Sequence, residues 1–370
     1  MDDASGAEEL LLAEKLIGYD SSNEDGIRLC AGFVKGWLEA RDIRTSQLEI
    51  RGLPILLADV GPAEAPTVLL HGHVDVVPGR DGQFEPRVEG DRLIGRGAYD
   101  MKGAAAAMML ALNDLKDQDE VRVRLAIVPD EEDEDADYRG TDLLVDEGLR
   151  GDFAITGEPT DMHVGIAAKG VLAVRLEVSG RAAHGSTPWE GDNAILKAFG
   201  IFRKIESLPF SRESSELFDR PSINLGRIWG GDALNKVPDT CVIDVDIRYL
   251  PEQQQDTILS EIAGLDDCEV VSTFTRPPVS VDRRSVFVRA LCDAAQPHHI
   301  GDVTGVGRDG ASDAISFLRV GIPAVEFGPT GAGHHGPDEW VSISSLGAYR
   351  RALADFARAV PATMQLETAT

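Results

Sequence analysis

Apolar and polar positions change period several times along the chain. Residues 6–18 (GAEELLLAEKLIG) space apolar side chains as on a helix, with two acids near the start, and residues 25–41 predict a second helix. Strand-like apolar runs follow at 54–60 (PILLADV), 67–77 (TVLLHGHVDVV), 121–129 (VRVRLAIVP) and 152–157 (DFAITG). Between the second and third of these lies 101–116 (MKGAAAAMMLALNDLK), whose Ala, Met and Leu favour a helix. Strands and helices alternating at these lengths predict an α/β sheet with helices on its faces.

The middle of the chain has a different pattern. Residues 171–179 (VLAVRLEVS) alternate as a half-buried strand should. A helix at 192–207, strands at 222–229 and 240–249, a helix at 251–264 and a strand at 268–275 complete a small α+β, open-faced sandwich. Pro277-Pro278 marks an exit. A helix at 283–296, strands at 303–306 and 323–327 and a final helix at 343–359 then read as a return to the first domain. The expected organisation is therefore one domain made of 1–168 and 278–370, with 169–277 inserted.

Length agrees with two domains: 370 residues at about 150 per domain give between two and three. Charge narrows the partners. Sixty-three acids against 36 bases leave a net charge of −27 and a sequence pI near 4.6. Such a field repels phosphate backbones and anionic lipid, which excludes nucleic acid and a membrane surface as expected partners. Only 8 of the bases are Lys, which suits a salt-adapted host or a GC-rich coding bias and does not bear on function. Cys30, Cys241, Cys268 and Cys292 stand singly, as reduced cysteines of a cytoplasmic protein do. The start, Met1-Asp2-Asp3-Ala4, is acidic where a signal peptide would be basic, and no apolar window is long enough for a membrane span.

Metal-ligating residue types collect at the ends of the predicted strands. In His71-Gly72-His73-Val74-Asp75, period-two alternation would put His73 and Asp75 on one side, so the carboxylate can orient the imidazole. In Gly95-Arg96-Gly97-Ala98-Tyr99-Asp100-Met101-Lys102-Gly103, Asp100 can cap the following helix or ligate. Pro129-Asp130-Glu131-Glu132 and Gly157-Glu158-Pro159-Thr160 each follow a strand, and His334-His335-Gly336-Pro337-Asp338-Glu339 lies near the C-terminus. Taken singly, each has an ordinary reading, a helix cap for Asp100 and a solvated loop for the others. As a set they fall where open α/β sheets keep their sites. Nitrogen and oxygen donors without cysteine suit catalytic Zn²⁺, and Mn²⁺ or Co²⁺ less well. No G-x-S-x-G elbow is found, which disfavours a serine hydrolase.

The motifs H-x-D, G-R-G-x-x-D-M-K-G, D-E-E, G-E-P-T and H-x-x-D-E, in this order, resemble a family of dinuclear zinc amidohydrolases. It comprises the acetylornithine deacetylases, succinyl-diaminopimelate desuccinylases, aminoacylases and glutamate carboxypeptidases. The resemblance spans nearly the whole chain. It implies a mixed-sheet, zinc-peptidase-like catalytic domain with an inserted ferredoxin-like domain that serves as lid and dimerisation element. It also implies that His73 and Glu158 bind one zinc, Glu132 and His335 the other, and that Asp100 bridges both ahead of a cis peptide bond to Met101. Asp75 would orient His73, and Glu131 would be the general acid/base. Two ions about 3.5–4 Å apart can share one water and lower its pKa towards neutrality.

In the insertion, Gly180-Arg181-Ala182-Ala183-His184-Gly185-Ser186 resembles the family's small-domain histidine, which in dimeric members reaches the neighbouring subunit's active site. The loop around Asn235 resembles a substrate-binding asparagine loop. Arg248 resembles the arginine that holds a substrate carboxylate, a task that suits its planar fork. Gly310-Ala311-Ser312-Asp313 matches a late G-x-S-D loop, making Gly310 and Ser312 candidate substrate contacts. The implied function is hydrolysis of an N-acyl amino acid by a homodimer with two zinc ions per subunit, replaceable by Co²⁺ or Mn²⁺. The alternatives are a carboxypeptidase or dipeptidase acting on short peptides, or a metal-binding protein without catalysis. The stretch 183–189 departs from the forms typical of the desuccinylases.

Overall fold

A buried mixed sheet organises the first of two compact units, which comprises the chain up to Ile166, Val281–Val306 and the chain from Asp313 on. The structure, a computed structural model, describes residues 6–133 and 136–367, so the acidic stretch Met1–Ala4 lies outside the described residues. Across the sheet the strands run Arg44–Ile50, Leu53–Val60, Arg122–Val128, Thr67–His73, Phe153–Thr156, Ala324–Glu326 and Val164–Ala168. Thr67–His73 is parallel to both of its neighbours, and the flanking hairpin of Arg44–Ile50 with Leu53–Val60 is antiparallel. Every residue of Thr67–His73 is buried, the polar His71 and His73 included, as expected of a strand with parallel neighbours on both sides.

The Ala-rich helix Gly103–Asp114 is buried from Gly103 to Leu112. Small side chains let it pack between helix Ala7–Ile17 and the C-terminal helix Ile343–Glu367. That last helix extends beyond the predicted 343–359 and contains Pro361. The strand predicted over 67–77 stops at His73, and the helix predicted from 101 starts at Gly103. Polar, short elements were not anticipated. A separate sheet orders Gly331–Ala332, Trp340–Ser342, Arg92–Ile94 and Arg87–Glu89, and short helices form at Gly140–Asp146 and Ala314–Arg319. Through this small sheet the 331–342 segment meets the glycine-rich 92–97 segment, with Gly95 N–H donating to the carbonyl of Glu339 at 3.0 Å.

The second unit comprises Ala167–Ser280 and Gly307–Ser312. Its antiparallel sheet orders Ser222–Gly230, Thr240–Tyr249, Gly170–Ser179 and Cys268–Arg276. Helices Ala194–Ile205 and Gln255–Ala263 complete the strand–helix–strand–strand–helix–strand order. Alternate residues Leu172, Val174, Leu176 and Val178 face Ala198, Ile201, Ile258 and Ile262 in one core. Asn193 caps the first helix by accepting the N–H groups of Ile195 and Leu196. Among the described residues, no helix is long and apolar enough to cross a membrane.

Candidate active site

His73 is the last residue of the buried central strand, which places it at the sheet's carboxyl edge. Its Nδ1 lies 2.9 Å from the carbonyl oxygen of Asp75 and 3.4 Å from the Asp75 carboxylate. Asp75 is past the strand end, so strand alternation does not place it there. It is held instead by the backbone N–H of Glu132, which donates to Asp75 Oδ2 at 2.8 Å. With Nδ1 so occupied, His73 Nε2 faces Asp100 Oδ1 at 3.2 Å and Glu158 Oε1 at 4.0 Å.

Asp100 sits in an irregular turn, Ala98–Lys102, and the Asp100–Met101 peptide bond is cis. Glu339 Oε1 accepts the backbone N–H groups of Tyr99 and Asp100 at 3.0 and 3.1 Å. Its other oxygen pairs with Arg96 at 2.6 Å, and the same guanidinium donates to the carbonyl of His335 at 3.2 Å. Asp100 Oδ2 lies 3.4 Å from His335 Nε2, which is 2.9 Å from Glu132 Oε1. Glu158 follows the strand Phe153–Thr156 after Gly157, where a Cβ would lie 2.5 Å from Met101 Cε.

Among the described residues, three sets of donor atoms each fall within 4.8 Å: His73, Asp100 and Glu158; Asp100, Glu132 and His335; His73, Glu131 and Glu132. The first two share Asp100 and could hold two ions side by side. Glu158 Oε1 is buried with no hydrogen-bond partner among the described residues, a costly state that a cation would relieve. The charges point the same way. Burial acts to raise Asp100, but hydrogen bonds from His335 and His73 hold it well below the usual carboxylate range. Burial, reinforced by the charge of Asp100, pushes Glu158 well above that range. Hydrogen bonds to Asp100 and Glu132 push His335 up to about 10. The buried carboxylates thus draw positive charge into the cluster, and an all-N/O donor set fits a borderline or hard divalent ion.

Beside this cluster stands Glu131. Burial pushes its carboxyl up to about 8 against the opposing pull of Arg139. Arg139 Nη1 donates to Glu131 Oε1 at 2.8 Å and to Asp313 Oδ1 at 3.2 Å. Asp313 Oδ2 accepts the Thr141 hydroxyl, and Thr141 Oγ1 lies 2.8 Å from His71 Nε2. Burial depresses His71 to about 4, so its imidazole is neutral.

Of the residues singled out in the sequence, His73, Asp75, Asp100, Glu131, Glu132, Glu158 and His335 come together within the first unit. In the second unit the exposed His184 and Asn235 are neighbours, because Gly185 N–H donates to the carbonyl of Asn235 at 2.7 Å. His184 Nδ1 accepts the N–H of Ser186 at 3.1 Å. Arg248 lies towards the end of strand Thr240–Tyr249, with its Nε 3.0 Å from Asp246 Oδ2. Gly310 is exposed and Ser312 buried. The roles of Arg96, Glu339, Arg139 and Asp313 are not legible in the sequence. Arg96 and Glu339 lie inside quoted motifs, and their purpose emerges only when segments 243 residues apart meet.

The sequence profile of peptidase family M20/M25/M40 matches residues 69–359. A probable succinyl-diaminopimelate desuccinylase of Staphylococcus aureus is 26% identical over 91% of this chain and 93% of its own length. Among solved structures, a tripeptidase of Staphylococcus aureus superposes with a TM-score of 0.78 at 21% identity, covering 96% of this chain and 99% of that one. A metallo-carboxypeptidase of Sulfolobus solfataricus gives 0.78 at 20% identity, covering 98% and 100%. At these identities the structural likeness shows the fold.

Proposed function

The chain belongs to peptidase family M20/M25/M40, metal-dependent hydrolases of amide bonds, and on that premise we propose that it cleaves the amide of an N-acyl amino acid with two zinc ions. The observation that carries this reading is the Asp100 carboxylate set between two histidines, 3.2 Å from His73 and 3.4 Å from His335. In this reading His73 and Glu158 would hold one ion and Glu132 and His335 the other, with Asp100 a ligand to each. The orphaned Glu158 oxygen supports it. Co²⁺ or Mn²⁺ can replace zinc, since the donors are nitrogen and oxygen. Bound there, the pair of ions supplies an activated water near neutral pH and an electrophile for the amide carbonyl.

The residues of the chain do the rest. Asp75 fixes the His73 ring by engaging Nδ1, which turns Nε2 towards the other donors. Burial raises Glu131 in the absence of cations, and the charge of ions bound beside it would lower it again, so that it removes a proton from the attacking water and returns it to the departing amine nitrogen. In the second unit, Arg248 holds the substrate carboxylate, with Asn235, Gly310 and Ser312 as further contacts. Leu196 and Phe199 are exposed on helix Ala194–Ile205, and this apolar pair supports a homodimer in which His184 serves the partner's site. Four free cysteines support a cytoplasmic setting.

A second reading, a carboxypeptidase or dipeptidase, is favoured by the names of the tripeptidase and the carboxypeptidase that share the fold. It uses the same groups on a different acyl side. A product-release assay separates the two. N-acetylornithine, N-succinyl-diaminopimelate, simple N-acetyl amino acids and dipeptides are offered with zinc and with cobalt. Release from an acyl amino acid supports the first reading and release from dipeptides the second. Failure on every amide removes both.

A further inference from the structure

We propose that Arg139 is a positioning residue that holds the Glu131 carboxylate in its working place, a role that rests on Glu131 being the acid/base group. Arg139 immediately precedes the short helix Gly140–Asp146. Its backbone is pinned on both sides: its own N–H donates to Asp142 at 3.1 Å, and the N–H of Gly140 donates to Asp130 at 2.9 Å. From this fixed base one nitrogen of the guanidinium serves two carboxylates, Glu131 Oε1 at 2.8 Å and Asp313 Oδ1 at 3.2 Å. The Asp313 side chain is fully buried, and those of Arg139 and Glu131 are 11% and 17% exposed.

Asp313 is itself locked. A carboxylate only accepts, so the Thr141 hydroxyl donates to Asp313 Oδ2 and must accept at its oxygen from His71 Nε2–H. His71 Nδ1 is then a bare acceptor, and it is buried without a partner. The edge of the His71 ring against Phe317 fixes its plane. A chain of defined hydrogen bonds thus runs from His71 on the central strand through Thr141, Asp313 and Arg139 to Glu131.

The arrangement solves a positional problem. A glutamate has three side-chain torsions, yet a general base must sit within hydrogen-bond reach of the proton it takes. Glu131 has an oxygen within 4.8 Å of donor atoms of His73 and Glu132. A tether on Oε1 holds the carboxylate there and keeps it from turning away from the neighbouring carboxylates of Glu132 and Glu158. Arginine suits the task because it stays charged and its stiff head keeps one donor nitrogen on both carboxylates. A lysine ammonium also carries several donors on one nitrogen, on a more flexible stem.

The test uses the full-length protein as Arg139→Ala, Arg139→Gln and Arg139→Lys, each with zinc. On N-acetylornithine, N-succinyl-diaminopimelate, N-acetylmethionine and dipeptides, kcat of Arg139→Ala is expected to fall about 10–100-fold, the usual loss for an outer-sphere partner. KM and bound metal stay near the wild-type values, the cobalt absorption spectrum is unchanged, and Arg139→Lys recovers much of the lost kcat. In crystals, the Glu131 carboxylate moves by about 1 Å or more in Arg139→Ala and stays in place in Arg139→Lys, a displacement large enough to account for such a loss. Unchanged kcat, a loss confined to KM, or an unmoved Glu131 would overturn the proposal. If the wild type cleaves no amide, the functional reading fails and the crystallographic comparison alone decides the positional claim. If Arg139→Ala does not fold, Arg139→Gln takes its place in both arms.

Discussion

Arg96 and Glu339, 243 residues apart in sequence, meet at 2.6 Å in the interior, each less than 5% exposed. From the two ends of this pair, Glu339 accepts the backbone N–H of Asp100 and Arg96 donates to the carbonyl of His335. One buried ion pair therefore sets the backbone of two neighbouring site residues. Removing one partner leaves the other charge buried and uncompensated, which costs about 3–5 kcal/mol. Glu339→Ala is expected to lose stability on that scale in thermal or denaturant unfolding and to bind less metal. Glu339→Gln keeps an acceptor for the two N–H groups and should lose less of both.

Glu131→Gln preserves shape and removes the base. We expect metal content equal to wild type by elemental analysis, with kcat lower by about 10²–10⁴-fold, the usual weight of general acid–base catalysis. Comparable kcat at unchanged metal content would remove Glu131 from the role.

Chelation should abolish turnover and lower the melting temperature together, because the clustered carboxylates lose their counter-charge. Zinc restored to about 1,000 times its dissociation constant should return roughly 4 kcal/mol of stability. His73→Ala and Glu158→Ala should each reduce the bound metal. Unchanged metal content in both variants would place the ions elsewhere.

Leu196 and Phe199 lie on helix Ala194–Ile205 and are 69% and 49% exposed. Leu196→Asp combined with Phe199→Asp is expected to turn a dimer into a monomer in sedimentation experiments and to lower activity if His184 serves the partner. A wild type that is monomeric and fully active contradicts both points.

The placement of the candidate site residues at strand ends was readable because His73 and Glu158 follow apolar runs whose termini are easy to place. Long elements were readable for the same reason: the Ala-rich helix Gly103–Asp114 and the alternating strand Gly170–Ser179 have unmistakable periods. Arg44–Ile50 was missed because this edge strand is largely exposed and polar, and Arg87–Glu89 because it is three exposed residues long. The supports of the site were hidden for a different reason. Arg139 meets Asp313 across 174 residues, and local sequence carries no record of such a pairing. Asp75 shows a partial success: its closeness to His73 was anticipated, but a hydrogen bond from Glu132, past the strand end, produces it.

The most direct measurement is anomalous diffraction at the zinc edge from crystals of the full-length protein grown with zinc. Two peaks are expected, one touching His73 and Glu158, the other touching Glu132 and His335, with Asp100 within bonding distance of both. A single peak, or two peaks that do not share Asp100, would contradict it.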